Sequence, residues 1–375
     1  MSGIYIHIPF CKNACHYCDF HFSTSLQKMP AMIQAIEKEI RIQQPYLSDT
    51  IETLYFGGGT PSLLQKQDLN RLINLVKENF RVSDTAEITL ESNPDDITQE
   101  KSDEWREAGI NRLSIGIQSF FETDLRWMNR AHSAEQAKNC IEWVRGSGFE
   151  NITIDLIYGS PGLTDERWIQ NIETALSFGI PHLSCYALTV EPKTALAKMI
   201  AAKKTEAVDP EKQARHFAIL TTRLEEAGFE HYEISNFAKP GFRSMHNSAY
   251  WQGAHYLGLG PSAHSFNGSS RQWNIANNTL YIQSLMQGIV PFEQEILTPT
   301  QQLNEYIMTG LRTMEGISIQ RIANQWGQII ADNILHEATQ YLEEGHMVYQ
   351  NPFLQLTLSG KFLADGIAAD LFVTD

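Results

Sequence analysis

Four times along this chain an amphipathic stretch ends on a glycine followed by an apolar residue: Gly109-Ile110, Gly148-Phe149, Gly179-Ile180 and Gly228-Phe229. Glycine suits the position just past a helix, where φ is positive, and the apolar residue after it packs back onto the last turn. Short runs rich in branched and aromatic residues alternate with these stretches. They are YIHI (5–8), TLYF (53–56), EITL (87–90), RLSIGI (112–117), ITIDLIY (152–158) and HLSCYAL (182–188), with HYEI (231–234) after Gly228. Helix starts are marked as well: Ser133 with Gln136 forms a capping box, and Asp209-Pro210 an N-cap with proline behind it. Strand, helix, glycine, strand, repeated, predicts a parallel α/β sheet. Six such units fit an open or partial (β/α) barrel.

The polar motifs sit where a barrel does chemistry. GGGTP (57–61) follows the second strand, ESNP (91–94) the third, and Gln118 ends the fourth. All three fall at the C-terminal ends of strands, the face on which barrel enzymes build their sites.

Five cysteines are present, and three crowd together as Cys11-x3-Cys15-x2-Cys18 on the loop after the first strand. An odd number bunched in this way suits metal binding in a reducing compartment better than a disulfide framework. Three thiolates can hold three irons of a [4Fe–4S] cube, which ordinarily takes four. The iron left over has an open position, where metals do chemistry. The competing reading is zinc, completed by His7, His16 or His21. Cys140 falls mid-helix and Cys185 mid-strand, and both read as buried packing residues.

The triad followed by GGG after strand two resembles the radical SAM superfamily, in which S-adenosylmethionine (SAM) chelates the open iron. The phrases YIHIPFC, YCDF, FGGGTPS, ESNP, RLSIGIQSF and DLIYG are similar to oxygen-independent coproporphyrinogen III oxidase-like proteins over nearly the whole chain. The resemblance implies a radical SAM partial (β/α)6 barrel. It also implies that Tyr5, Tyr17, Gly58, Gly59, Thr60, Glu91, Gln118, Arg130 and Asp155 surround SAM. Arg130 is suited to the methionine carboxylate, Glu91 to the ribose hydroxyls or amine, and Asp155 to ribose.

Two features part the chain from the dehydrogenase of that group. Phe20 stands where the dehydrogenase has a further cysteine, and only ten residues precede Cys11, where the dehydrogenase has a substantial extension. A third points to the haem chaperones of the HemW kind: His246-Asn247-Ser248-Ala249-Tyr250-Trp251 matches their HNxxYW string. That likeness implies haem as cargo, His246 as a haem contact and haem-accepting proteins, respiratory ones included, as partners. An imidazole can ligate haem iron, and Tyr and Trp give a porphyrin flat contact. The glycines of LGLGPSAHS (257–265) suggest backbone close to a ligand, with His264 as a further contact. Lys239, Arg243 and Arg271 are candidates for haem propionates.

Beyond residue 300 the order helix, helix, longer helix (329–344), strand, strand, helix (359–372) reads as a small α+β winged-helix-like domain. Its 301–375 segment has three Lys or Arg against nine Asp or Glu, the wrong sign for DNA. The expected organisation is a barrel with the cluster and SAM over 1–235, a haem-binding and connecting region over 236–300, and the small domain over 301–375. The net charge of −15 opposes nucleic-acid binding. No apolar run is long enough to span a bilayer, and MSGIYIHIPF has neither the basic start nor the apolar core of a signal peptide. The expectation is a cytoplasmic protein; a homodimer is compatible with it.

Overall fold

The computed structural model describes residues 2–374. Six strands run in sequence order and in parallel: β1 (Ser2–Ile8), β2 (Ile51–Gly58), β3 (Val82–Ser92), β4 (Arg112–Gln118), β5 (Asn151–Tyr158) and β6 (His182–Ala187). Between them run α1 (Met29–Ile42), α2 (Lys66–Asn79), α3 (Gln99–Glu107), α4 (Glu122–Trp127), α5 (Ala134–Gly146) and α6 (Asp165–Ser177). The helices cover the outside through regular apolar stripes. Leu69, Leu72, Ile73 and Val76 of α2 are buried at the i, i+3, i+4, i+7 spacing of one helix face. The Ser133–Gln136 capping box is formed, and Gly109, Gly148, Gly179 and Gly228 all have positive φ.

Successive residues of a strand face opposite sides, and here the two sides differ in kind. Ile4, Ile6 and Ile8 are buried in the core beneath the helices, whereas Gly3, Tyr5 and His7 turn inward. The inner face is polar along its length: Thr53, Glu87, Arg112, Thr153, Asp155 and His182 line a lumen rather than an apolar barrel core. Arg112 is wholly buried there, 3.7 Å from the Glu87 carboxylate.

After α7 (Ala195–Ala201) and α8 (Pro210–Glu226) come β7 (Glu230–Glu233) and β8 (Asn236–Ala238), with β8 antiparallel to β6. A short helix, α9 (Met245–Trp251), packs against β1 and β2. Then β9 (His255–Leu259) pairs in parallel with β1 on its free side. It is followed by β10 (His264–Phe266), β11 (Ser270–Asn274), α10 (Asn278–Met286) and β12 (Phe292–Ile296). Residues 236–300 thus extend one twelve-stranded sheet at both ends.

The C-terminal segment holds α11 (Pro299–Leu311), β13 (Ile317–Ser318), α12 (Ile319–Trp326), α13 (Gln328–Glu337), α14 (Thr339–Glu343), β14 (Met347–Gln350), β15 (Phe353–Leu356), α15 (Leu358–Lys361) and α16 (Ala364–Asp370). Its antiparallel sheet, ordered β13-β15-β14, and its own apolar cluster around Ile307, Ile322 and Leu354 make it the small α+β unit expected. Two of the expected helices are each broken in two. The 329–344 helix divides at Ala338, and the 359–372 helix divides at Leu363, whose φ of −108° leaves the helical range.

Candidate functional site

The loop after β1 carries Cys11, Cys15 and Cys18, all unpaired and half-buried. It is pinned on several sides. The Cys11 N–H donates to the Ser23 carbonyl at 3.0 Å, and the Asn129 side-chain amide donates to the Ala14 carbonyl at 2.8 Å. Lys12 reaches the Asp95 carboxylate at 2.7 Å. Burial raises the Cys11 thiol pKa and, together with its cysteine neighbours, pushes Cys18 up to about 11. Thiols this hard to ionise in isolation become good ligands once a cation supplies the missing charge. Of the histidines that would complete a zinc site, His7 has both ring nitrogens engaged, with Tyr5 on Nδ1 at 3.1 Å and the His21 carbonyl on Nε2 at 2.9 Å. His16 meets the Trp127 carbonyl through Nδ1 at 2.7 Å, and His21 meets Asn278 through Nε2 at 2.7 Å.

Around the triad stand the side chains at the C-terminal ends of the strands. Arg130 donates to Cys15 Sγ at 3.3 Å, to Asn93 Oδ1 at 2.6 Å and to the Gly116 carbonyl at 2.7 Å. Its Nε and the nearby Ser92 hydroxyl are buried without a partner, the state of groups waiting for a ligand. Glu91 accepts from the Tyr55 hydroxyl at 2.8 Å and from the Gly58 N–H at 3.1 Å, and burial raises its pKa to about 7. Burial likewise lifts Asp155 to about 6, against the pull of Arg112. Gln118 closes β4 with φ at +65°, a strained conformation for a side-chain residue and one that clusters at functional sites.

The glycines of the β2 loop have a packing reason of their own. A Cβ on Gly58, whose φ is +105°, would lie 2.5 Å from the His7 ring, and one on Gly59 would lie 2.6 Å from the Phe10 carbonyl oxygen. The loop is therefore drawn tight onto the cysteine segment.

One cavity of about 1160 Å3 joins these parts. Cys11, Cys15, Tyr17, Cys18, Gly58, Gly59, Thr60, Glu91, Gln118, Arg130 and Asp155 all line it. The donor set fits the groups expected: three thiols, an arginine that touches one of them and keeps a buried N–H without a partner, and two acids.

Tyr5 and His246 stand outside that cavity. Tyr5 lies deeper in the lumen, its ring 6.0 Å from that of Tyr55. His246 enters from α9 at the opposite end, stacked on Tyr55 at 4.9 Å with Nδ1 2.8 Å from the Thr53 hydroxyl. Glu87 accepts from the Met245 and His246 N–H groups, both at 3.1 Å, and so clamps the start of α9. Burial, with Arg112 nearby, pushes the His246 pKa down to about 3 and keeps the imidazole neutral. Tyr55 thus stands between His246 and the cavity wall at Glu91.

The remaining candidates of this region have other work. Gly260 and Gly258 press on the backbones of His7 and His264, so the LGLGPS glycines serve close strand packing. His264 is exposed on β10. Arg243 pairs with Glu230 at 3.0 Å and Glu315 at 2.7 Å, Arg271 with Glu305 at 2.7 Å, and Lys239 with the Ala227 carbonyl.

Comparison with known proteins agrees with this geometry. Residues 5–188 match the Radical SAM superfamily and residues 297–363 the HemN C-terminal domain. The chain is 34% identical to Heme chaperone HemW of Bacillus subtilis, over 98% of each chain. The chain belongs to the HemW family. Its relatives in that family include Heme chaperone HemW of Mycobacterium tuberculosis, 33% identical over 98% of this chain and 94% of that one. The Escherichia coli protein of the same name is 28% identical over 100% and 98%. Among solved structures, coproporphyrinogen III oxidase (HemN) from Escherichia coli, described as a radical SAM enzyme, superposes with a TM-score of 0.86. It is 26% identical, over 99% of this chain and 90% of that one. Membership of the radical SAM superfamily implies a [4Fe–4S] cluster and SAM. No helix among the described residues is long and apolar enough to cross a membrane.

Sequence reasoning passed over three groups. Asn93, inside the ESNP string, bonds both Arg130 and Thr60. Tyr55 links α9 to Glu91. The roof of the cavity, formed by Arg312, Lys361, Phe362 and Leu363, comes from the C-terminal domain. No local pattern marks a residue that meets a site from another domain.

Proposed function

We propose that this protein is a cytoplasmic haem chaperone that binds haem and delivers it to acceptor proteins, respiratory haem proteins among them. In this reading it carries a [4Fe–4S] cluster on Cys11, Cys15 and Cys18, with SAM against the open iron. The observation that carries the reading is the full-length likeness to a protein named as a haem chaperone, 34% identity over 98% of both chains. When bound, the cluster and SAM supply one-electron chemistry. The chain's own residues orient and shield. Arg130 presents a buried N–H for a carboxylate, and Glu91 and Asp155 present acceptors for hydroxyl or ammonium groups. Tyr17 and the tight Gly58-Gly59 turn wall the site from water. Tyr5 supports it from beneath through Tyr55.

His246 is the residue through which the HNxxYW helix acts on haem. Thr53 holds its Nδ1, which leaves Nε2 as the nitrogen for iron. A second reading, coproporphyrinogen III dehydrogenase, is favoured by the 0.86 TM-score to HemN. Against it stands Phe20, 67% exposed at the cavity, where the dehydrogenase has a cysteine. A haem titration of the anaerobically reconstituted protein, followed by the haem absorption band, separates the two. Saturable binding that His246→Ala weakens supports the chaperone. Absent haem binding with turnover of coproporphyrinogen III selects the dehydrogenase.

A further inference from the structure

The cavity does not end at the cysteines. It continues into an outer chamber between the end of β6 and the C-terminal domain, walled by Tyr186, Phe217, Lys361, Phe362 and Leu363. Ligand pockets commonly measure about 300–1,000 Å3, and this cavity, at about 1160 Å3, exceeds that range. The chamber wall is apolar and uncovered: Tyr186 is 43% exposed, Phe362 43% and Leu363 47%. Phe362 is nevertheless held, edge-on to Phe217 with ring centroids 4.6 Å apart. Rigid aromatic surface of this kind is what a flat apolar ligand covers.

Lys361, at the end of α15, also lines the chamber. Its ammonium donates to the His231 carbonyl at 3.2 Å. No carboxylate among the described residues forms an ion pair with it, whereas Arg312 on the same wall meets Glu233 at 3.1 Å and Asp365 at 3.2 Å. Of the acids nearby, Asp365 holds Arg312, Asp370 accepts from Tyr341, and Glu233, outside the cavity lining, takes Ser235, Asn236 and Arg312, while Glu225 is exposed and forms no ion pair with Lys361. Burial lowers the Lys361 pKa to about 8, although Glu225 and Glu233 lie near enough to oppose the shift. A half-buried ammonium without a carboxylate partner has lost part of its hydration, and an arriving anion relieves that loss.

We propose that Lys361 binds a carboxylate of a flat, apolar ligand lodged in this outer chamber, namely a propionate of haem. The inference rests on the haem reading but does not need His246 to touch the iron. It places the porphyrin plane against Tyr186 and Phe362 and sets one propionate on Lys361.

The test uses the full-length, cluster-loaded protein and three probes: haem, metal-free protoporphyrin IX and protoporphyrin dimethyl ester, each titrated by quenching of tryptophan fluorescence. Lys361→Gln is expected to weaken both diacids by about tenfold or more. Lys361→Arg is expected to restore most of the affinity. The dimethyl ester should bind the wild type as weakly as the diacids bind Lys361→Gln, and should be indifferent to that substitution. Diacids that bind Lys361→Gln as they bind the wild type overturn the proposal while leaving the haem reading intact. So does an ester that binds the wild type as tightly as the diacids do, a comparison that stands even if Lys361→Gln misfolds. A wild type that binds neither haem nor protoporphyrin overturns the haem reading and this proposal with it.

Discussion

Glu39 ties the added part of the sheet to the barrel, and its protonation should be visible in stability. It lies on α1, wholly buried, and accepts from three donors of one distant segment: the Gly260 N–H at 2.8 Å, the Asn274 amide at 2.6 Å and the Tyr281 hydroxyl. Burial outweighs these bonds and raises its pKa from 4.5 to about 7. A carboxyl with a raised folded pKa binds its proton more tightly in the native state. Its contribution is therefore complete below about pH 4.5, is lost as pH climbs through about 7, and is constant above that. At 1.36 kcal/mol per pKa unit the full loss is about 3 kcal/mol, of which about 2 kcal/mol falls between about pH 5.5 and about pH 7.5. Glu39→Gln keeps the shape, carries no proton to lose and turns an N–H toward a donor. It should be less stable than the wild type by about 1–3 kcal/mol at about pH 5.5. That deficit should shrink by about 2 kcal/mol at about pH 7.5, since only the wild type loses the Glu39 contribution over the interval while every other titration is common to both proteins. Urea unfolding of both proteins at the two pH values, followed by tryptophan fluorescence, measures the difference. A deficit equal at both would show that the three donors keep the carboxylate ionised throughout, and the argument from burial would be wrong.

Replacing Cys11, Cys15 or Cys18 with Ala should abolish the broad visible absorption of a reconstituted iron–sulfur centre, whereas Cys140→Ala and Cys185→Ala should leave it unchanged, since those two thiols are buried in the core. Gly58→Ala should cost about 1–3 kcal/mol from its φ of +105° and more from a Cβ 2.5 Å from the His7 ring, and should weaken SAM binding by loosening the bond from the Gly58 N–H to Glu91. Gly109→Ala has similar φ, +94°, but nothing within 4 Å of its Cβ, so its melting temperature should fall less and its SAM affinity should hold.

The barrel was legible because its signals are local. Four glycine stops, a capping box and six branched, aromatic runs each report on a few neighbouring residues, and all of them recur in the fold. The sequence pattern could not show that β9 joins β1. That pairing unites residues more than 250 positions apart, Ser2 with His255, and depends on Gly258 and Gly260 permitting a close approach. The same LGLG glycines, seen without their neighbours, suggested a ligand. The two split helices of the C-terminal domain follow the same logic. Ala338 and Leu363 are good helix residues, and only their tertiary position turns the chain there.

The site divides along the same line. Cysteine spacing and strand-end motifs place side chains within one loop or one strand terminus, and the cavity brings those residues together as a set. His246 was legible as a motif but not as a position. Its surroundings come from β1, β2 and β3: Gly3, Thr53, Tyr55 and Glu87, none of which carries a pattern pointing to α9. Once in place, it stands one ring away from the cluster side. The stack on Tyr55 at 4.9 Å continues through the Tyr55 hydroxyl to Glu91 at 2.8 Å and from Glu91 to the Gly58 N–H at 3.1 Å. Any movement of α9 away from the sheet strips Tyr55 of its nearer stacking partner and leaves its ring against Tyr5 alone, at 6.0 Å. The hydrogen bond that fixes Glu91 then rests on a ring stacked on one side only.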